Sequence, residues 1–100
     1  MDQSEYFGKV VDCIAKVMGL TPDDVLCGKR TDEVVDARWI IAQLLYEQGY
    51  HTRRIALFLS MSQRNVTHII TVFPDKLRNN IYNRAFIRAY NSAKEEVRYL

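Results

Sequence analysis

The 100-residue sequence predicts an all-α protein: a compact helical bundle that contains a helix-turn-helix and closes with a long amphipathic C-terminal helix. Three observations predict it. Apolar residues recur at three- and four-residue intervals, the spacing that gathers them on one face of a helix. Capping residues and glycines punctuate the chain at helix-like lengths. No internal repeat, low-complexity tract or Pro/Gly/Ser linker breaks the pattern.

The first helix is marked by Tyr6, Val10, Ile14 and Met18, flanked by Phe7, Val11 and Val17, and Gly19 supplies its stop. Thr21-Pro22-Asp23-Asp24 then combines an N-cap, a proline at the first helical position and acids in the first turn. A short helix over Val25 to Cys27 follows, ended by Gly28. Lys29 and Arg30 form a basic loop, and Thr31-Asp32-Glu33 caps a longer helix carrying Val34, Val35, Trp39, Ile41, Leu44 and Leu45 inward as far as Gly49. His51-Thr52 opens a short helix through Ile55, Ala56 and Leu59. Only Ser60 and Met61 separate it from the next cap, Ser62, and the helix from Gln63 turns Val66, Ile69, Ile70 and Phe73 inward. Two helices joined so tightly make a helix-turn-helix. Pro74 is expected to end or kink the second of them. Ile81, Tyr82, Ala85, Phe86, Ala89, Tyr90, Ala93 and Val97 mark the amphipathic C-terminal helix.

Composition narrows the function classes. With 48% hydrophobic and 26% charged residues the chain is ordinarily globular, and its length suits one domain over residues 1–100. No stretch reaches the roughly 18 apolar residues of a membrane span, and the start lacks a signal-peptide layout, so a cytoplasmic protein without membrane contact is expected. Cys13 and Cys27 are too few for a disulfide scaffold and lack zinc-site spacing. No phosphate loop, nucleophile elbow or paired-His motif occurs, and His51 and His68 stand apart. No catalytic residue, metal, cofactor or small-molecule substrate is therefore expected.

The net charge of +2 is unevenly spread. Residues 1–50 hold five Lys or Arg against nine Asp or Glu, a net −4, whereas residues 51–90 hold seven basic side chains against Asp75 alone, a net +6. Residues 91–100 balance. Between Glu47 and Asp75 no acid occurs, while Arg53, Arg54 and Arg64 fall in that window. Such an acid-free basic segment suits a polyanion, because Lys and Arg displace condensed counterions from phosphates.

In a helix-turn-helix the second helix enters the major groove, and its first turn reaches base edges. Here that turn is Ser62, Gln63, Arg64 and Asn65, with Thr67 and His68 continuing its exposed side. Gln and Asn can pair bidentately with adenine and Arg with guanine. Ser62 also serves as an ordinary cap. Arg53 and Arg54 oppose the dipole of the preceding helix, a placement that a nearby phosphate would explain, although a solvated surface is the other reading.

From Leu20 to about Phe73 the order of elements resembles the C-terminal DNA-binding domain of the bacterial replication initiator DnaA, within the Trp-repressor-like helical group. Gly19-Leu20-Thr21-Pro22-Asp23-Asp24-Val25-Leu26 is similar to that family's Gly-Leu-Ser-x-x-Asp-Leu-Leu opening, and Gly28-Lys29-Arg30-Thr31 to its Lys-Arg-Arg-Ser/Thr loop. Val34 through Arg38 matches Val-x-x-x-Arg at the start of its long helix. Gly49 through Ala56 falls where the family has Gly-Leu-Ser-Leu-Pro-Glu-Ile-Gly. The resemblance covers about half the chain, residues 20–73, with residues 74–100 as a helical extension. It implies that Arg30 enters the minor groove and that Arg38 contacts backbone phosphate. The family's recognition motif, Asp-His-Thr-Thr-Val, corresponds to Ser62-Gln63-Arg64-Asn65-Val66 after a turn one residue shorter. Val66 keeps the core position, and the four base-reading positions differ, which points away from the initiator's usual origin box. One hundred residues leave no room for its ATPase domain.

The leading expectation is a double-stranded-DNA-binding protein, a small regulator or replication-associated protein without ATPase. Gln63, Arg64 and Asn65 read bases, Lys29 and Arg30 reach the minor groove or backbone, and Arg38, Thr52, Arg53 and Arg54 hold phosphates. A second expectation is an interaction module that keeps the scaffold without binding DNA. For it, Tyr82, Phe86 and Tyr90 pair the C-terminal helix with a second copy or a partner; the same rings could instead cover their own core.

Overall fold

A computed structural model of the chain describes residues 2–27, 31–79 and 84–100, all of them helix or short connection. Each of the first five helices starts on a side chain that accepts a hydrogen bond from a backbone N–H two or three residues on, which satisfies a donor that the first turn leaves unpaired. Helix α1 (Gln3–Met18) is capped by Asp2 and ends at Gly19, whose φ of 70° is the left-handed conformation suited to glycine. In α2 (Pro22–Leu26) the Thr21 hydroxyl accepts from the Asp24 N–H, and the Asp24 carboxylate accepts from the Thr21 N–H, a reciprocal capping box. Thr31 caps α3 (Asp32–Glu47), His51 caps α4 (Thr52–Leu59) and Ser62 caps α5 (Gln63–Arg78); α6 spans Arg84–Val97.

Helix α3 lies at the centre and touches all five of the others, with α1 against α6 and α4 against α5 completing the packing. A central helix must be apolar around most of its circumference. Its buried set is accordingly wider than the periodicity indicates: Ala37, Ile40 and Ala42 join Val34, Ile41, Leu44 and Leu45, while Val35 is exposed and Trp39 only half-buried. The radius of gyration, 12.4 Å, meets the roughly 13 Å of a compact 100-residue chain.

Of the end or kink expected at Pro74, the end does not occur: α5 continues through it to Arg78. Proline removes one backbone donor from the helix. Contacts on both sides hold this turn in place. Phe73 is fully buried, its ring 5.3 Å from Phe86 and 5.0 Å from Tyr90. One turn on, Lys76 pairs with Asp36 at 3.1 Å and sits over the rings of Trp39 and Phe86 at 4.8 and 4.4 Å. Both anchors reach other helices, so tertiary packing overrides the local signal.

The C-terminal helix carries Phe86, Tyr90, Ala93 and Val97 into the core. Phe86 and Tyr90 therefore cover their own chain, the second of the two roles open to them, and neither is left exposed for a partner. Tyr82 lies outside the described residues. The Tyr90 hydroxyl donates to the Glu47 carboxylate at the end of α3, which also receives Gln43 at 2.9 Å and Lys94 at 3.5 Å. Burial first, and then this carboxylate, push the Tyr90 pKa well above the ordinary tyrosine value. Among the described residues no helix is long and apolar enough to cross a membrane.

Candidate nucleic-acid interface

Helices α4 and α5 are joined by Ser60, Met61 and Ser62. The chain reverses there because Ser60 adopts φ 54°, ψ 45°, the only left-handed non-glycine residue among those described. Its N–H bonds back to the Leu57 carbonyl and that of Met61 to the Ala56 carbonyl, so backbone donors satisfy two of the last carbonyls of α4. Ser62 then restarts the helix, its hydroxyl accepting from the Asn65 N–H at 3.0 Å.

The turn folds the starts of the two helices onto one another. The Gln63 amide donates to the Thr52 hydroxyl at 3.1 Å across eleven residues, joining the first residue of α5 to the first residue of α4. Inward-facing Ile55, Ala56, Leu59, Val66, Ile69 and Phe73 anchor both helices to the core. The opposite side is left to solvent. On α5 it presents Gln63, Arg64, Asn65, Thr67 and His68, all exposed, and on α4 it presents Arg53 and Arg54 beside half-buried Thr52.

Besides Gln63 and Thr52, two more of these side chains are held from within the fold. The Thr67 hydroxyl donates to the Gln63 carbonyl at 3.0 Å, and the His68 ring meets the Trp39 ring edge-on at 6.2 Å, so α3 braces the outer face of α5. Arg53, Arg54 and Arg64 form no side-chain hydrogen bond or ion pair with any described residue. Elsewhere, Lys76, Arg78, Lys94 and Arg98 are each matched to an acid, while Lys9 and Lys16 on α1 and Arg84 and Arg88 on α6 have no ion pair with a described residue. Neither α4 nor α5 has an acidic residue in its first turn, whereas α1, α2 and α3 all do. The positive ends of two helix dipoles and three unmatched guanidinium groups thus share one surface, an arrangement that favours anions.

The remaining expected residues lie differently. Lys29 and Arg30 fall outside the described residues. Arg38, expected at a phosphate, is only partly exposed and donates through one terminal nitrogen to the Val25 carbonyl at 2.7 Å and through the other to the Leu59 carbonyl. Burial pulls its pKa below the ordinary arginine value.

Of the His51-Thr52 start signal, His51 supplies the cap, and the exposure of Leu57 is what the sequence reading missed. His51 is a cap, its Nδ1 accepting from the Arg53 N–H at 3.1 Å, and Leu57 is 70% exposed, lining an open groove with His51, Arg53 and Arg54. Leu57 follows Arg53 by one helical turn, so helical spacing from the arginines could have placed it on the outer face.

Among the described residues no group of three or more His, Cys, Asp or Glu is arranged to hold a metal ion. Comparison with protein-family models, with curated proteins and with solved structures found no match.

Proposed function

We propose that the protein binds double-stranded DNA, with α4 and α5 acting as a helix-turn-helix and the first turns of α5 entering the major groove. The observation that carries this reading is the pairing of three unmatched arginines, Arg53, Arg54 and Arg64, with the exposed amides Gln63 and Asn65 on two adjoining helix starts that lack acid. Arg64 and Asn65 supply the bidentate chemistry that separates guanine and adenine from other bases. Arg53, Arg54 and the Thr52 hydroxyl lie one helix away, where backbone phosphates flank the groove. The chain resemblance to the DnaA C-terminal domain supports the same assignment from residues 20–73 and adds Lys29 and Arg30 as contacts to the minor groove or backbone. On this reading the protein is a cytoplasmic regulator or replication-associated factor.

Fluorescence anisotropy of a labelled duplex, titrated with the full chain over a range of salt, tests it. If about five phosphates are engaged, log affinity falls against log salt with a slope of roughly −4 to −5. Absence of binding at low salt, or binding indifferent to salt, contradicts the reading.

A further inference from the structure

Arg38 stands where a phosphate ligand was expected, yet its hydrogen bonds run inward. The Val25 carbonyl lies at the end of α2, and the Leu59 carbonyl is that of the last residue of α4. Helices leave their final carbonyls without intrahelical partners, and those ends carry partial negative charge. One guanidinium thus serves two helix ends, 13 residues back and 21 residues on in the chain. The planar fork of arginine suits two separated acceptors, and the single ammonium of lysine does not.

The placement of the second carbonyl matters most. Leu59 directly precedes Ser60, the left-handed residue at which the chain turns from α4 into α5. Whatever holds the Leu59 carbonyl therefore holds the root of the turn. From the far side, the Gln63 to Thr52 bond closes the same helix pair, so the turn is tied at both ends. A phosphate drawn to Arg38 would have to take its donors from two partly buried carbonyls and leave them unsatisfied.

We infer that Arg38 is a positioning residue: its fork across the Val25 and Leu59 carbonyls sets the angle at which α5 is presented and so governs which bases are read. This rests on the DNA-binding reading above. Base-reading groups need to be held within about 0.5 Å of their productive geometry, which a loosened turn does not provide. Arg53, Arg54 and Arg64 keep their charges when Arg38 is changed, so electrostatic attraction to DNA survives while discrimination between sequences declines.

The test compares the wild-type chain with R38K and R38M, each held at a temperature where circular dichroism shows it folded. Two quantities are measured on a random-sequence duplex pool: the salt slope of binding, and the enrichment of sequences after selection. Both variants are expected to keep the wild-type slope, and both to lose about tenfold or more in enrichment of the wild-type motif. A phosphate ligand behaves differently: R38M shallows the slope by roughly 0.9, R38K restores it, and the motif persists. That result, or wild-type enrichment by R38K, overturns the inference and leaves the DNA reading intact. A wild-type chain that neither binds nor selects any duplex removes both.

Discussion

Helices α1, α2 and α3 begin with Asp2 and Glu5, with Asp23 and Asp24, and with Asp32 and Glu33, whereas α4 and α5 begin with His51-Thr52-Arg53-Arg54 and Ser62-Gln63-Arg64-Asn65. An acid in a first turn stabilises a helix by about 0.3 to 1 kcal/mol, and the first three helices use it. The next two keep only their caps, His51 and Ser62, and α4 adds two arginines where the dipole disfavours them. Their hold on the fold comes instead from Ile55, Leu59, Val66, Ile69 and Phe73, each no more than 1% exposed. The contrast separates the tasks of the two regions. One region uses its helix starts for stability, and the other leaves them positive and open, with the core supplying the missing stability.

The largest expected effect comes from removing the open charges. The triple variant R53A/R54A/R64A should shallow the salt slope of duplex binding by about two units, since Arg53 and Arg54 hold phosphates and each such contact contributes about 0.9. Its unfolding free energy in urea should change by less than about 0.5 kcal/mol, because no described residue is matched to these groups. A collapse of stability in this variant would erase the distinction between the regions.

Smaller and sharper is the transplant of an acid. Glu at position 63 gives α5 the start that α1 to α3 already have, and its carboxylate can still accept from the Thr52 hydroxyl. Q63E should therefore raise stability by about 0.3 to 1 kcal/mol and weaken duplex binding about tenfold. Opposite signs on the two measurements are the outcome that the comparison requires.

The reverse variant lies in the first region. T21A removes the hydroxyl of the capping box on α2 and should cost about 1 kcal/mol of stability while leaving duplex affinity unchanged. Loss of affinity in step with stability would show that the surface does not act separately from its scaffold.

The smallest effect at neutral pH concerns Tyr90. Its folded-state pKa is raised, so the protonated phenol contributes stability that is fully present below the ordinary tyrosine value near 10. Above that pH the unfolded chain releases its proton first, and stability declines until the folded group itself titrates. Urea midpoints followed from pH 8 to 11 should fall more steeply for wild type than for Y90F. Duplex binding at pH 7 should be alike in both.

Local chemistry was the legible part of this molecule. Gly19, Thr21, Thr31 and Ser62 act within four residues of themselves, and each cap or stop lies where the sequence places it. The exposure of Gln63 to Asn65 follows from the same periodicity that buries Val66 and Ile69. What escaped the sequence depends on distant contacts. Pro74 is carried by anchors on α3 and α6, Ala37 and Ile40 are buried because α3 is surrounded, and the partners of Arg38 lie on two other helices. A residue type announces that it can hold a phosphate, but only the fold decides whether a carbonyl has reached it first.

The central claim is that the outer face of α5 reads duplex sequence. Selection of bound molecules from a random duplex library, with the wild-type chain and R64A carried in parallel, tests it most directly. The account predicts an enriched motif for the wild type and a flattened position within it for R64A. Failure of the wild type to enrich any sequence at low salt would contradict it.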